Sequence, residues 1–170
     1  VTEVFTNGSI KTSTLSGTGT RLVAATSDGT LSIAEKTGIN EIGGVMVKLV
    51  NKTGANSVKG TVVYVDPSVD NAFGINPING DMPFGVIYDN GIADGSECWV
   101  VVSGIAEVLL VNTVASTRSY VAYSSGSVAG RIDIAASVPA ATTHFREIGH
   151  TLESKAGGTD VLCKCVLHFN

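Results

Sequence analysis

The chain has 170 residues, enough for one ordinary domain of ~100 to 150 residues with a single core and an extension. Hydrophobic residues make up 44% and charged residues only 15%, below the ~25% usual for soluble domains, so we expect neighbouring subunits to cover part of the surface. The net charge of −4, without a Lys/Arg cluster, argues against nucleic acid as a partner. No run of about 18 apolar residues and no signal peptide occur, which predicts no membrane insertion. The chain starts without Met, as a processed product or a piece of a longer chain would.

Residues 1–42 predict an extended β-arm. Their apolar residues are scattered among Thr, Ser and Gly, and Ser27-Asp28-Gly29 is a hairpin-turn signal between two strand-like segments. One two-stranded ribbon is only marginally stable in water, so its apolar side chains must pack on the domain body or on other subunits. We predict that six of them form an intersubunit or docking surface: Ile10, Leu15, Leu22, Val23, Leu31 and Ile33.

Residues 43–170 predict one small antiparallel β-barrel or sandwich. From Gly43 onward, two strands flank a turn at 51–56 and should pair with each other. Residues 66–84 contain three of the four prolines and predict an ordered surface loop of about twenty residues. Because loops of that length in compact domains usually bind something, six residues of this loop are candidate partner contacts: Asp66, Asp70, Phe73, Asn76, Asn79 and Asp81.

The rest of the chain predicts further short strands between Gly-rich turns. These strands are rich in β-branched and aromatic residues, and they fall at 84–88, 99–102, 108–111, 120–123, 131–134, 145–152 and 161–169. No segment of ten or more residues has a convincing helical period. The sequence therefore predicts eight to ten strands after the arm, as in an all-β barrel or sandwich.

No motif predicts catalysis or a cofactor. The G-x-S-x-G sequence of hydrolases is absent, and Ser103 and Ser125 lie in turn contexts. A glycosidase would need two carboxylates across a cleft, but the candidate Asp residues all lie in turns, where Asp is expected anyway. These residues are Asp66, Asp70, Asp81, Asp89 and Asp94.

The cysteines and histidines predict no metal site. Three cysteines are an odd number, which argues against a disulfide framework, and the C-x-C spacing of Cys163 and Cys165 fits zinc poorly. Reduced thiols in a core or interface are the favoured interpretation. His144 and His150 are six positions apart on a predicted strand, which separates them by ~20 Å and makes them separate surface or interface residues.

Four segments taken in order resemble bacteriophage capsid decoration and head-fibre proteins. The segments are KGTVVYVD, PFGVIYDNGIADGSECWVVVSGIAEVLLV, RSYVAYSSGSVAGRI and REIGHTLESKAGGTDVLCKCVLHF, and the resemblance covers residues 43–170. The N-terminal LSGTGTRLVAATSDGTLS is similar to shaft modules of phage fibres, which intertwine as trimers. The chain departs from a minimal decoration protein in the 66–84 loop and in the strand of Cys163 and Cys165.

The resemblance implies a non-enzymatic virion structural protein on the capsid surface. Its expected partners are copies of itself in a homotrimer, the major capsid protein or another virion protein, and a host surface glycan. In such a protein the arm trimerises or docks into the shell and the barrel faces outward. The added contacts then oppose the outward force of packaged DNA.

Two other functions compete with this interpretation. The first is the receptor-binding tip of a tail fibre, in which Trp99 would be a sugar-stacking platform rather than an anchor in a core or interface. The second is a metal-dependent cupin-like enzyme using His144, His150 or His168. The sequence disfavours the second, because such a site needs clustered His and Glu at short spacings.

Overall fold

A computed structural model describes residues 2–4, 10–12, 23–25, 27, 31–33, 36–137 and 144–169 as an all-β protein. The N-terminal strands are β1 (Thr2–Val4), β2 (Ile10–Thr12), β3 (Val23–Ala25), β4 (Leu31–Ile33) and β5 (Thr37–Ile39). The central strands are β6 (Val45–Asn51), β7 (Val62–Val65), β8 (Ala72–Ile75), β9 (Gly85–Ile87) and β10 (Glu97–Leu109). The last strands are β11 (Val121–Ser124), β12 (Ile132–Ala135), β13 (Glu147–Thr151) and β14 (Leu162–Leu167), with a 3₁₀ turn at His144–Arg146. Within these ranges no helix has the length and apolar character needed to cross a membrane.

Five of these strands close into a barrel. Their order is β10-β9-β7-β8-β6, and β6 pairs with β10 to complete the ring. The β6 and β8 strands run parallel, with Val50 opposite Ala72, whereas the other neighbours are antiparallel. Closure removes the exposed strand edges at which sheets tend to associate. The predicted all-β barrel is therefore confirmed.

Strand β10, with 13 residues, also begins a second group of strands. Beyond the first barrel, its segment from Gly104 to Leu109 pairs with β14, and the order continues β14-β13-β11-β12. A parallel bridge between Leu110 and Ile132 brings β12 back beside the chain that leaves β10. The second group is therefore curved like the first, and its last strand lies beside the end of its first strand.

The two groups are repeats of one module. In the first, β7 pairs with β8 through Val63 and Ile75, and in the second, Ala122 and Ile134, each 59 positions later, pair in the same register. The left-handed backbone positions repeat at the same spacing. They are Gly54 and Thr113, Gly60 and Ser119, and Asn71 and Gly130.

Side-chain hydrogen bonds in the turns repeat as well. Asp66 Oδ1 accepts the backbone N–H groups of the second and third residues after it, at 2.8 and 3.0 Å. Ser125 Oγ, 59 positions later, accepts the corresponding two N–H groups at 3.0 and 3.1 Å. Asp and Ser are both residues whose side chains close such turns. A shared turn geometry is therefore kept although the side chain that closes it differs.

The modules have two cores rather than the single core that the length predicted. The smaller core fills the first barrel and consists of Val63, Phe73, Ile87, Cys98 and Val100. The larger core fills the second module, and residues from the outside of the first barrel join it: Met46, Val62, Val86 and Val101. The two modules thus pack against each other through buried apolar side chains.

Three predicted local structures are wrong. Strands β6 and β7 do not pair with each other, because β8 lies between them and pairs with both. The predicted 66–84 loop contains β8, whose residues at 72–74 are buried. The predicted break at Ser103-Gly104 is a bulge within the continuous strand β10, where Gly104 has a φ of +78°.

The hairpin predicted around Ser27 is confirmed. Strands β3 and β4 pair antiparallel, with Val23 opposite Ile33, although each is only three residues long. A further hairpin joins β1 and β2. Strand β5 pairs with β6, so the main sheet already includes residues before position 43.

Phe73→Ala tests the first core. Phe73 is 0% exposed, so truncation removes buried apolar area and leaves a cavity that should cost about 3–5 kcal/mol of unfolding free energy in urea titrations. Val65→Ala is the matched control, because Val65 lies opposite Phe73 but is 61% exposed and should change stability by less than ~0.5 kcal/mol. Equal losses in the two variants would contradict the assignment of this core.

Gly104→Ala tests the bulge in β10. A Cβ at this position would meet the Gly43 carbonyl oxygen, and the φ of +78° would be strained as well. Gly91→Ala is the control, since Gly91 has a φ of +81° with nothing within 4 Å of an added Cβ. We expect the control to lose about 1–2 kcal/mol in chemical unfolding and Gly104→Ala to lose clearly more. Equal losses would show that the contact between position 104 and the Gly43 carbonyl oxygen does not affect stability.

Candidate functional site

All three histidines of the chain lie around the carboxylate of Glu147. His144 Nδ1 is 3.3 Å from Glu147 Oε2, and His168 Nε2 is 3.5 Å from Glu147 Oε1. His150 Nδ1 is 2.7 Å from His168 Nε2. The Glu147 side chain is only 5% exposed, whereas those of His144 and His168 are 47% and 43% exposed. The cluster therefore joins a buried carboxyl group to imidazoles at the surface.

Local backbone geometry brings these side chains together. Residues three apart on a regular strand point to opposite faces, which would separate Glu147 from His150. A bulge in β13, opposite Ala122 and Tyr123, adds one residue between them and restores a common side. His168 follows β14, and its N–H donates to the Ile148 carbonyl at 3.0 Å, which places it beside β13.

The predicted separation of His144 and His150 is wrong. The prediction placed both residues on one extended strand, but His144 lies in the 3₁₀ turn that precedes β13. Ligand atoms of Glu147, His150 and His168 all lie within 4.8 Å of one another. A combination that the sequence did not predict, Glu147 with His150 and His168, therefore has ligand atoms close enough for a metal site. The sequence did contain a signal for this cluster: Glu147 lies between His144 and His150, and His168 lies near the C-terminus.

A second feature is a groove of about 560 Å³ along β5 and β6, lined by both apolar and polar side chains. Lys36 and Glu97 form an ion pair there, and Asp70 and Asn71 contribute from the turn before β8.

Lys48 also lines the groove, and its Nζ lies 5.3 Å from the centre of the Trp99 ring. Trp99 is half-buried and packs against the larger core, as an anchor would. The groove can offer hydrogen-bonding and charged groups to a polar ligand.

Two of the predicted partner contacts are wrong because they are buried. Phe73 is 0% exposed at the centre of the first core. Asn76 is 1% exposed, and its Nδ2 donates to Ser124 Oγ of the second module at 2.8 Å. Phe73 is buried because it packs inside the first barrel, and Asn76 is buried because it contacts β11 of the second module.

The other four candidates of that segment remain predictions. Asp70, Asn79 and Asp81 are exposed, and Asp66 is half-buried. The hydrogen bonds that Ser68 donates hold the pKa of Asp66 below its ordinary value. Asp66 thus shapes its own turn, while Asp70 lies on the groove.

The predicted arm surface is only partly described. Val23 and Leu31 are 43% and 46% exposed, so these two side chains are accessible to a partner. Ile10 and Ile33 lie in β2 and β4, but the structure describes only their backbone. Leu15 and Leu22 lie outside the described residues. The arm's role in subunit contact stays a prediction.

The predicted packing of the three cysteines in the interior is confirmed. Cys98, Cys163 and Cys165 are free and buried. Burial raises the pKa of Cys98 to about 11. The pKa of Cys165 is also raised, by its hydrogen bond with Cys163 and by burial. Cys98 and Cys165, which are held protonated in the core, are therefore packing groups rather than nucleophiles.

Comparison with known proteins gives no family, since no family model matches the chain and no curated protein matches it significantly. The internal repeat supplies a comparison within the chain itself. Val101 pairs with Val86 in the first module, and Val166 pairs with His150 in the second. His150 therefore occupies the strand position that Val86 has in the first module.

Cys98→Ala tests the protonated core thiol. The Cys98 pKa of about 11 lies above the ~8.5 of an unfolded thiol, so its contribution to stability is complete below pH ~8.5 and is lost as the pH rises toward 11. We expect the unfolding free energy of the wild type, minus that of Cys98→Ala, to fall over this range in urea titrations. A difference that is constant or rises with pH would contradict the assignment.

Proposed function

We propose that the chain is a non-enzymatic virion structural protein that decorates the outside of a phage head as a homotrimer. The observation that carries the proposal is a pair of fused β-modules preceded by short hairpins with accessible apolar side chains. The family resemblance of residues 43–170 supports the same role. The partners would be the major capsid protein or another virion protein.

The hydrogen bonds of the candidate catalytic residues support a structural role for them. Asp89 Oδ2 accepts the Trp99 N–H at 2.9 Å, and Asp94 Oδ1 accepts the Gly54 N–H at 2.8 Å. Ser125 Oγ closes the turn that follows β11. These groups hold strands and turns in place, as side chains of Asp and Ser often do in β-proteins.

The arm would supply the contact between subunits. A hairpin with strands of three residues buries little apolar area, and Val23 and Leu31 remain 43% and 46% exposed in the single chain. Burying apolar surface of this kind contributes roughly 25 cal/mol per Å² to association. Three copies of the arm would cover one another's apolar residues and leave the barrels outward. From there the barrels could add shell contacts or meet the host surface.

Sedimentation of the purified chain tests the trimer. We expect the wild type to sediment as a trimer and the double variant V23D/L31D to sediment as a monomer, because two buried charges would destabilise the arm contact. V65D is the matched control, since Val65 is 61% exposed on the barrel and its substitution should leave the trimer intact. A wild-type chain that is monomeric with its arm intact would contradict the proposal.

The groove along β5 and β6 favours one alternative, a tail-fibre tip that binds surface carbohydrate. Carbohydrate recognition needs the convergent polar groups that Lys36, Asp70, Asn71 and Glu97 provide there. The decoration proposal rests on the contacts of the arm, so it does not require glycan binding through this groove.

Glycan-array binding of the wild type and of Asp70→Ala separates the two functions. Asp81→Ala is the control, because Asp81 is an exposed carboxylate that does not line the groove. Binding by the wild type and by Asp81→Ala that is lost in Asp70→Ala would support the tail-tip alternative. Equal signals from all three proteins are the result that the decoration proposal predicts.

A further inference from the structure

We propose that Glu147, His150 and His168 form a site for one divalent transition-metal ion, with Zn²⁺ the expected ion, and that His144 positions the carboxylate. The three ligand atoms lie within 4.8 Å of one another. This inference goes beyond the virion role and does not rest on it. A metal ion bound at this site would stabilise the fold whatever the function of the protein is.

The distances are close to those that zinc requires. Zn–N bonds of 2.0–2.1 Å in a tetrahedron place two ligand atoms about 3.4 Å apart. His168 Nε2 and Glu147 Oε1 are already 3.5 Å apart. His150 Nδ1 and His168 Nε2, at 2.7 Å, share a hydrogen bond, so the rings must separate by about 0.7 Å to admit the ion, while the carboxylate of Glu147, within 4.8 Å of His150, must come closer to it. A small side-chain movement at the surface would therefore convert the hydrogen-bonded pair into a ligand pair.

The donor set selects the class of ion. Two imidazoles and one carboxylate suit zinc and similar transition metals, whereas Ca²⁺ and Mg²⁺ prefer sets made entirely of oxygen. The Glu147 side chain is 5% exposed, and its low-dielectric surroundings strengthen its attraction for a cation. His144 Nδ1, at 3.3 Å from the other carboxylate oxygen, fixes the orientation of Glu147. Three protein ligands leave a fourth position for solvent or for a group from a neighbouring molecule.

The internal repeat indicates that the fold does not require this cluster. In the first module Val86 occupies the strand position of His150, and it is 1% exposed and packs in the larger core. A valine is thus compatible with this position of the module. The second module has an imidazole instead, next to a bulge that turns a carboxylate toward it. Bulges often re-aim side chains at functional sites.

The ion would link neighbouring strands of the second module. Glu147 and His150 belong to β13, and His168 directly follows β14. A ligand bound only by the folded state raises stability with its concentration. At a Zn²⁺ concentration about 100 times the Kd, we expect the melting temperature to rise by about 5 °C or more.

Zinc titration of the chelator-stripped full chain tests the proposal. Calorimetry should give one equivalent of Zn²⁺ per chain, while Mg²⁺ should give none. His150→Val, which carries the residue of the first module, and His168→Ala should each weaken binding by about 100-fold or more. His144→Asn should weaken it by about 10-fold, as loss of an orienting group does. Asp81→Asn, which alters an exposed carboxylate elsewhere, should bind like the wild type.

Two measurements on the wild type keep the test independent of how the variants fold. Zn²⁺ should shift the imidazole NMR signals of His150 and His168. The absorption spectrum with Co²⁺ should lack the near-ultraviolet charge-transfer band that thiolate ligands give. Failure of the wild type to bind zinc, unshifted imidazole signals, a thiolate band, or undiminished binding by folded His150→Val would each overturn the proposal.

Discussion

Strand β10 is the element on which the rest of the structure depends. Its first half closes the first barrel by pairing with β6, and its second half pairs with β14 to begin the second module. The change from one module to the other occurs at a bulge, where Gly104 takes a left-handed conformation beside the Gly43 carbonyl. Because one strand serves both modules, neither can shift its register without disturbing the other. The apolar contacts between the modules reinforce this coupling.

The repeat also separates what the fold requires from what one module has added. Both modules share strand pairing, left-handed turn positions and hydrogen-bonded turns after β7 and β11. The second module alone carries the histidine cluster, and the first alone lines the groove along β5 and β6 with Asp70 and Asn71. Equivalent strands of the two modules accept different surface groups, so the scaffold can present different binding surfaces to partner molecules. The proposed decoration role and the proposed zinc site both fit that arrangement, and each can fail without the other.

The sequence predicted the strands better than their partners. Apolar runs of strand length located β9 and the strands of the second module to within a few residues, since burial favours such runs wherever the strand ends up. It missed β8, because Pro67 and Pro77 on either side of it are typical of loops. Serine and glycine at 103–104 resembled a break, because a bulge and a turn use the same residues. The histidine cluster was missed because a regular strand was assumed, whereas a bulge and a 3₁₀ turn set the actual geometry.

The location of the chain on the particle tests most directly the proposal that it covers the outside of a phage head. Virions that carry a tagged copy of the chain can be labelled with gold and imaged by electron microscopy. The decoration proposal predicts label distributed over the head surface. Label confined to the tail tip would contradict it and favour the carbohydrate-binding alternative, and particles without label would exclude a virion role for the chain.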